Sequence, residues 1–151
     1  MRKETKLTPQ GAMARYILLG TVIITVIVLA ELLKASDLYI PYFAAVPYML
    51  VQFGILMDNM GGSNMTTVGL ILAGVILAGY LLIWFMAADR PGWLKAGLVL
   101  VIADTALFAG VSLLMDMTLM DIVFELFLHG VVIYELFAGV KAEKRAASPQ
   151  T

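Results

Sequence analysis

The sequence predicts an all-α integral membrane protein. It has four transmembrane helices with short connections, and an interfacial or re-entrant segment on the outer face between the first and second. Three observations carry this. Hydrophobic residues make up 62% of the 151-residue chain, against about 45–50% in soluble domains. Charged residues make up only 14%, against about 25%. Four apolar runs match the roughly 20 residues that a helix needs to cross the hydrocarbon. A globule of this size leaves much of its surface in water and has no room to hide so much apolar area. The mean hydropathy of +0.94 agrees. A soluble enzyme, a disordered chain and a collagen-like repeat are excluded.

The runs are 16–33, 65–86, 93–115 and 119–139, with polar tails at 1–15 and 140–151, all within one membrane domain. Thr8-Pro9 reads as an N-cap followed by a proline at the first helical position. A short helix is therefore expected to lead into the first span. That span ends at Glu31 and Lys34 with no small-x-small cleavage site behind it, so it reads as an anchor rather than a cleaved leader.

A fifth run, 39–57, is apolar but irregular. It contains Pro41 and Pro47 and the aromatics Tyr39, Tyr42, Phe43, Tyr48 and Phe53. Proline breaks or kinks a helix, and tyrosine favours the headgroup level. The positive-inside rule separates four spans from five. With four spans and the N-terminus inside, Arg2, Lys3, Lys6, Arg15, Arg90, Lys95, Lys141, Lys144 and Arg145 all face the cytoplasm, and Lys34 alone lies outside. A fifth span would move Arg90, Lys95 and the C-terminal charges outside. Four spans, both termini cytoplasmic, in the cell (plasma) membrane, is the expectation. Tyr16, Trp84 and Trp93 fall at the expected cytoplasmic boundary, and the turn around Asp89-Arg90-Pro91-Gly92 joins adjacent antiparallel helices.

Small residues recur at helical spacing: Gly69 and Ala73, Gly74 and Ala78, Ala106 and Gly110. Such pairs let helix backbones approach closely in lipid. They fit packing inside one bundle, or a seam between copies.

Ionisable residues inside spans are costly and usually face protein or a wet cavity. Asp104 lies about 15 Å along the third span, and His129 about 15 Å along the antiparallel fourth, at 1.5 Å per residue. The two are expected at one mid-membrane depth. Asp121, Glu125 and His129 follow i, i+4, i+8 and share a helix face. Glu31 lies near the outer end of the first span and extends this expected polar path. Thr21 and Thr25 form a softer polar pair. Imidazole titrates near neutral pH and suits a proton relay. The alternative is a set of structural interhelical hydrogen bonds.

The outer half is acidic: Glu31, Asp37, Asp58, Asp116, Asp121 and Glu125 are opposed by Lys34. One sign of charge concentrates the opposite ion, so a cationic ligand is expected over an anionic one. Met57, Met60, Met115, Met117 and Met120 cluster at the outer ends, and thioethers suit Cu(I). They serve equally as flexible apolar filler. There is no cysteine and one histidine, which excludes disulfides, thiol catalysis and thiolate metal sites. No phosphate-binding loop or HExxH motif is present, and a Ser112–His129 nucleophile pair would be strained. No cofactor is expected.

The function expected is an oligomeric cation or proton-coupled transporter or channel subunit. The alternative is a non-catalytic accessory or regulatory subunit of a larger membrane complex. A lipid-acting intramembrane enzyme and a copper-handling protein are weaker readings. The partners expected are the lipid bilayer and further copies or a larger membrane protein, with no nucleic acid.

Overall fold

The computed structural model describes residues 7–34, 44–112 and 118–148. These form five helices: α1 (Pro9–Leu33), α2 (Ala45–Asn59), α3 (Met65–Ala87), α4 (Trp93–Ser112) and α5 (Leu119–Ala147). No strand occurs among the described residues. Helices α1, α3, α4 and α5 are long and apolar enough to cross a membrane. This is a four-helix membrane protein with a shorter fifth helix. The expected fourth-helix connection at 113–117, with Met115, Asp116 and Met117, lies outside the described residues, as do Asp37 and the first part of the 39–57 segment.

The spans start and stop for local reasons. Thr8 caps α1: its side chain accepts from the Gly11 amide at 3.0 Å, with Pro9 at the first position, as the sequence predicts. The helix then runs unbroken into the membrane-length segment. Its start is tied across the bundle to α5. Glu143 Oε1 accepts both the Thr8 amide and the Thr8 hydroxyl at 2.7 Å. The start of α1 and the last turns of α5 therefore meet at one end of the bundle, called here the terminal end. The α3–α4 turn shares this end. There Arg15 Nε donates to the Trp84 carbonyl at 2.8 Å and stacks its guanidinium over the Trp84 ring at 4.6 Å.

Helices α1 and α4 each pack on both α3 and α5. Between them, at the opposite or loop end, sits α2, laid along α3 and touching α1 and α4. Its 15 residues span about 22 Å at 1.5 Å per residue, short of the roughly 30 Å hydrocarbon. Ala44, Ala45, Pro47 and Val51 of this segment are fully buried. One face of α2 therefore packs against the bundle, while Phe53 and Leu56 stay exposed on the other. Of the expected 39–57 segment, the described part is helical from Ala45 and continues to Asn59.

The α2–α3 hairpin closes because glycine permits it. A Cβ on Gly69 would stand 2.4 Å from the Leu50 carbonyl oxygen, and one on Gly54 2.5 Å from that of Met65. Gly69 and Ala73 are thus a packing seam within one chain. Gly74, Ala78, Ala106 and Gly110 instead lie exposed, with nothing within 4 Å of a Cβ at Gly74 or Gly110. The turn between α2 and α3 uses Gly61 at φ +97° and Asn64 at φ +65°, conformations suited to glycine and asparagine.

Candidate functional site

The buried polar centre lies beside the middle of α4. An apolar environment leaves every backbone amide in need of a partner, and a helix start has several without one. Helix α2 starts in such a place. Its N-cap is Ala44, which has no side chain to cap with. Asp104 does the work from α4: Oδ2 accepts the Ala45 amide at 2.7 Å and Oδ1 the Val46 amide at 2.9 Å. The third helical residue is Pro47, which has no N–H to satisfy. One carboxylate and one proline therefore account for the first three positions of α2. A carboxylate at a helix N-terminus also meets the positive end of the helix dipole.

His129 comes to Asp104 from α5. Its Nε2 lies 3.7 Å from Asp104 Oδ2, and both side chains are buried. The two side chains, on adjacent antiparallel helices, thus stand at one level of the bundle. The other ring nitrogen, Nδ1, is 2.8 Å from the Glu125 carbonyl oxygen. A carbonyl only accepts, so Nδ1 carries a hydrogen and the neutral ring has its lone pair on Nε2. Protonation at Nε2 then sets an N–H⁺ against the carboxylate. Phe108, one turn beyond Asp104 on α4, stacks parallel to the imidazole, with centroids 5.7 Å apart and planes 6° from parallel. This fixes the ring's attitude.

Two further residues complete the centre. The phenol of Tyr80 on α3 is fully buried, has no hydrogen-bond partner among the described residues, and interacts electrostatically with Asp104. Sequence reasoning missed Tyr80 and Phe108, because an aromatic in an apolar helix carries no mark of its neighbours. Glu125 is fully buried one turn from His129 and acts electrostatically on Tyr48 of α2. Asp104 and His129 thus meet where groups from α2, α3, α4 and α5 converge, with Glu125 one turn further along α5.

No protein-family model, curated protein or solved structure matches the chain.

Other expected members of the path stand apart. Glu31 pairs with Lys34 at 2.8 Å in an exposed i, i+3 bridge on its own helix. Asp121 belongs to the cap of α5: the Thr118 hydroxyl donates to its Oδ2 at 2.6 Å and accepts its amide at 3.2 Å. Both are local structures rather than members of the centre. Thr21 and Thr25 donate back to the carbonyls of Ile17 and Thr21 within α1. Ser112 donates to the Ala109 carbonyl at 3.1 Å, so it does not serve His129. Among the described residues no three His, Asp or Glu side chains group to hold a metal ion. Met60 and Met120 are exposed, and Met57 is partly buried.

The same capping device recurs at the loop end. Asp58, at the end of α2, accepts the Met65 amide at 2.8 Å and the Thr66 amide at 2.9 Å, the first two of α3. The side chain of Thr66, then the two amides, hold the Asp58 carboxyl below its ordinary range.

Proposed function

We propose that the protein moves a proton, or a cation coupled to a proton, across the cell membrane, as an oligomer with both chain ends in the cytoplasm. The observation that carries this reading is the Asp104–His129 contact at the buried N-terminus of α2, a helix too short to span the hydrocarbon. Discontinuous helices with termini near the midplane form ion and substrate sites in many transporters. Here the helix terminus already holds the chain's own carboxylate, which disfavours an anionic cargo. His129 Nε2 is free to take up and release a proton. Each uptake changes the charge facing the carboxylate that caps α2, so protonation and the seating of α2 are coupled. Asp58 and Asp121 add negative charge toward the loop end, which favours cations there. The basic residues Arg15, Arg90, Lys95, Lys141, Lys144 and Arg145 gather toward the terminal end, which supports its cytoplasmic assignment.

A second reading is an accessory subunit of a larger membrane complex. The open small-residue faces at Gly74–Ala78 and Ala106–Gly110 favour it, since a partner helix could approach closely there.

Proteoliposomes holding the purified protein and a pH-sensitive dye separate the two. Under an imposed potential, wild type is expected to carry protons, and His129→Gln to lose at least tenfold of that flux while keeping its helical spectrum. Absence of flux from wild type, with or without added Na⁺ or K⁺, overturns the transport reading. Purification in stable complex with a second membrane protein then favours the other.

A further inference from the structure

A cleft of about 340 Å³ opens at the terminal end, between the start of α4 and the last turns of α5. Lys95 and Lys144 line it from the two helices, with Ser148 and the Pro91-Gly92 turn. Neither lysine forms an ion pair among the described residues. Glu143 also borders the cleft, but its Oε1 is already occupied by the amide and hydroxyl of Thr8. The Ser148 hydroxyl donates to the Lys144 carbonyl. Among the described residues the cleft thus presents two cations without an ion pair, from different helices, beside the one hydrogen-bonded carboxylate of Glu143, around a space worth roughly ten waters at about 30 Å³ each. That is too large for a bare ion and suits a phosphate with its attached alcohol.

A second feature decides what the phosphate is attached to. On its other flank Lys95 borders a shallow, almost wholly apolar groove of about 490 Å³, formed by Ile83 of α3 and Ala96, Val99, Leu100 and Ala103 of α4. The groove follows α4 from Lys95 toward the middle of the bundle. A cationic cleft and an apolar groove that share one lysine match the two halves of a phospholipid. Lysine suits the junction, since its stem lies on apolar surface while its ammonium reaches the polar layer. Basic pockets between spans at a membrane boundary are a known way to hold anionic headgroups.

We infer that the protein carries a site for one anionic phospholipid, with its phosphate between Lys95 and Lys144 and an acyl chain along the Ile83–Ala103 groove. The site stands on its own, independent of any transport by Asp104 and His129.

The test is native mass spectrometry of the full chain in a neutral detergent, with phosphatidylglycerol, phosphatidylcholine or glycerol 3-phosphate added. One phosphatidylglycerol is expected to stay bound, at least tenfold more tightly than phosphatidylcholine. The Lys95→Gln, Lys144→Gln double variant is expected to lose that preference. A Lys141→Gln, Arg145→Gln variant, which removes equal charge from α5 outside the cleft, is expected to keep it. Equal retention of the two lipids overturns the proposal. So does equal loss in both double variants, which would mean a diffuse attraction to the basic end. Displacement of the lipid by millimolar glycerol 3-phosphate would assign the cleft to a soluble phosphate ester and overturn the lipid assignment. If the cleft variant does not fold, Ala103→Trp in wild-type background, which fills the groove alone, is expected to weaken phosphatidylglycerol at least fivefold; unchanged retention counts against the site.

Discussion

Asp104 on α4 and Ala45 on α2 are 59 residues apart and joined by a 2.7 Å hydrogen bond, the first fixed point of a helix that begins inside the bundle. Everything at the centre depends on it. The carboxylate that holds α2 in place is the one His129 faces, so the seating of a helix and the charge of an imidazole share one oxygen, Oδ2.

Removing that carboxylate leaves two amides, Ala45 and Val46, without acceptors in a buried place. Each unsatisfied buried group costs about 1–3 kcal/mol, so Asp104→Ala is expected to destabilise the protein by about 3 kcal/mol. Asp104→Asn keeps one acceptor oxygen and turns an NH₂ toward the other amide, so about half the loss is expected. Unfolding in mixed micelles measures both. Amide exchange locates the effect: Ala45 and Val46 should lose protection before α3 or α5 does. An Asp104→Ala protein as stable as wild type would mean that α2 is held by its α3 contacts alone.

Much of this arrangement is legible in the sequence, and the divide follows from what sequence encodes. Span lengths, the Thr8-Pro9 start and the common depth of Asp104 and His129 follow from a fixed rise per residue and from local capping chemistry, so counting along the chain finds them. The role of Asp104 as a cap is different. Its partners are backbone amides, which every residue but proline possesses and none advertises. Pro47 is the one residue at this start that stands out in the sequence, because it has no N–H to satisfy. Asp121 is the reverse case. Thr118-x-x-Asp121 has the spacing of a capping box as well as an alignment with Glu125 and His129, and the contact made within one turn is the one formed. The small residues divide for a third reason. Helix α3 is apolar all round, so hydrophobic pattern does not distinguish the face of Gly69, which meets α2, from that of Gly74, which meets nothing.

That contrast yields a paired test. Gly69→Ala puts a methyl 2.4 Å from the Leu50 carbonyl oxygen, where the obstacle is backbone and does not swing aside. Overpacking of this kind costs about 1–3 kcal/mol, here by prising α2 from α3. Gly74→Ala, one and a half turns away, adds its methyl to open space. It should be neutral or stabilising by up to about 1 kcal/mol, the difference in helix propensity. Unfolding midpoints of the two variants in the same detergent give the comparison. Equal effects would mean that the α2–α3 seam is looser than described. A marked loss at Gly74 would instead reveal a helix packed against it from another chain.

The α2–α3 turn should respond to acid through Asp58. Its carboxylate accepts from Met65 and Thr66, and the Thr66 side chain followed by the two amides lowers its pKa in the folded protein. A lowered folded pKa means that the charged form is the one the fold prefers. The stabilisation is therefore fully present above the ordinary carboxyl range, near pH 4, and is lost as pH falls through the lower folded value. Protonation releases the first two amides of α3. Amide exchange at Met65 and Thr66, corrected for its intrinsic pH dependence, should rise below about pH 4 while that of the α3 interior stays slow. In Asp58→Asn the same amides should exchange faster at neutral pH, with no further acid step. The outcome that counts against the cap is an acid step of equal size in that variant, because the titrating group would then lie elsewhere.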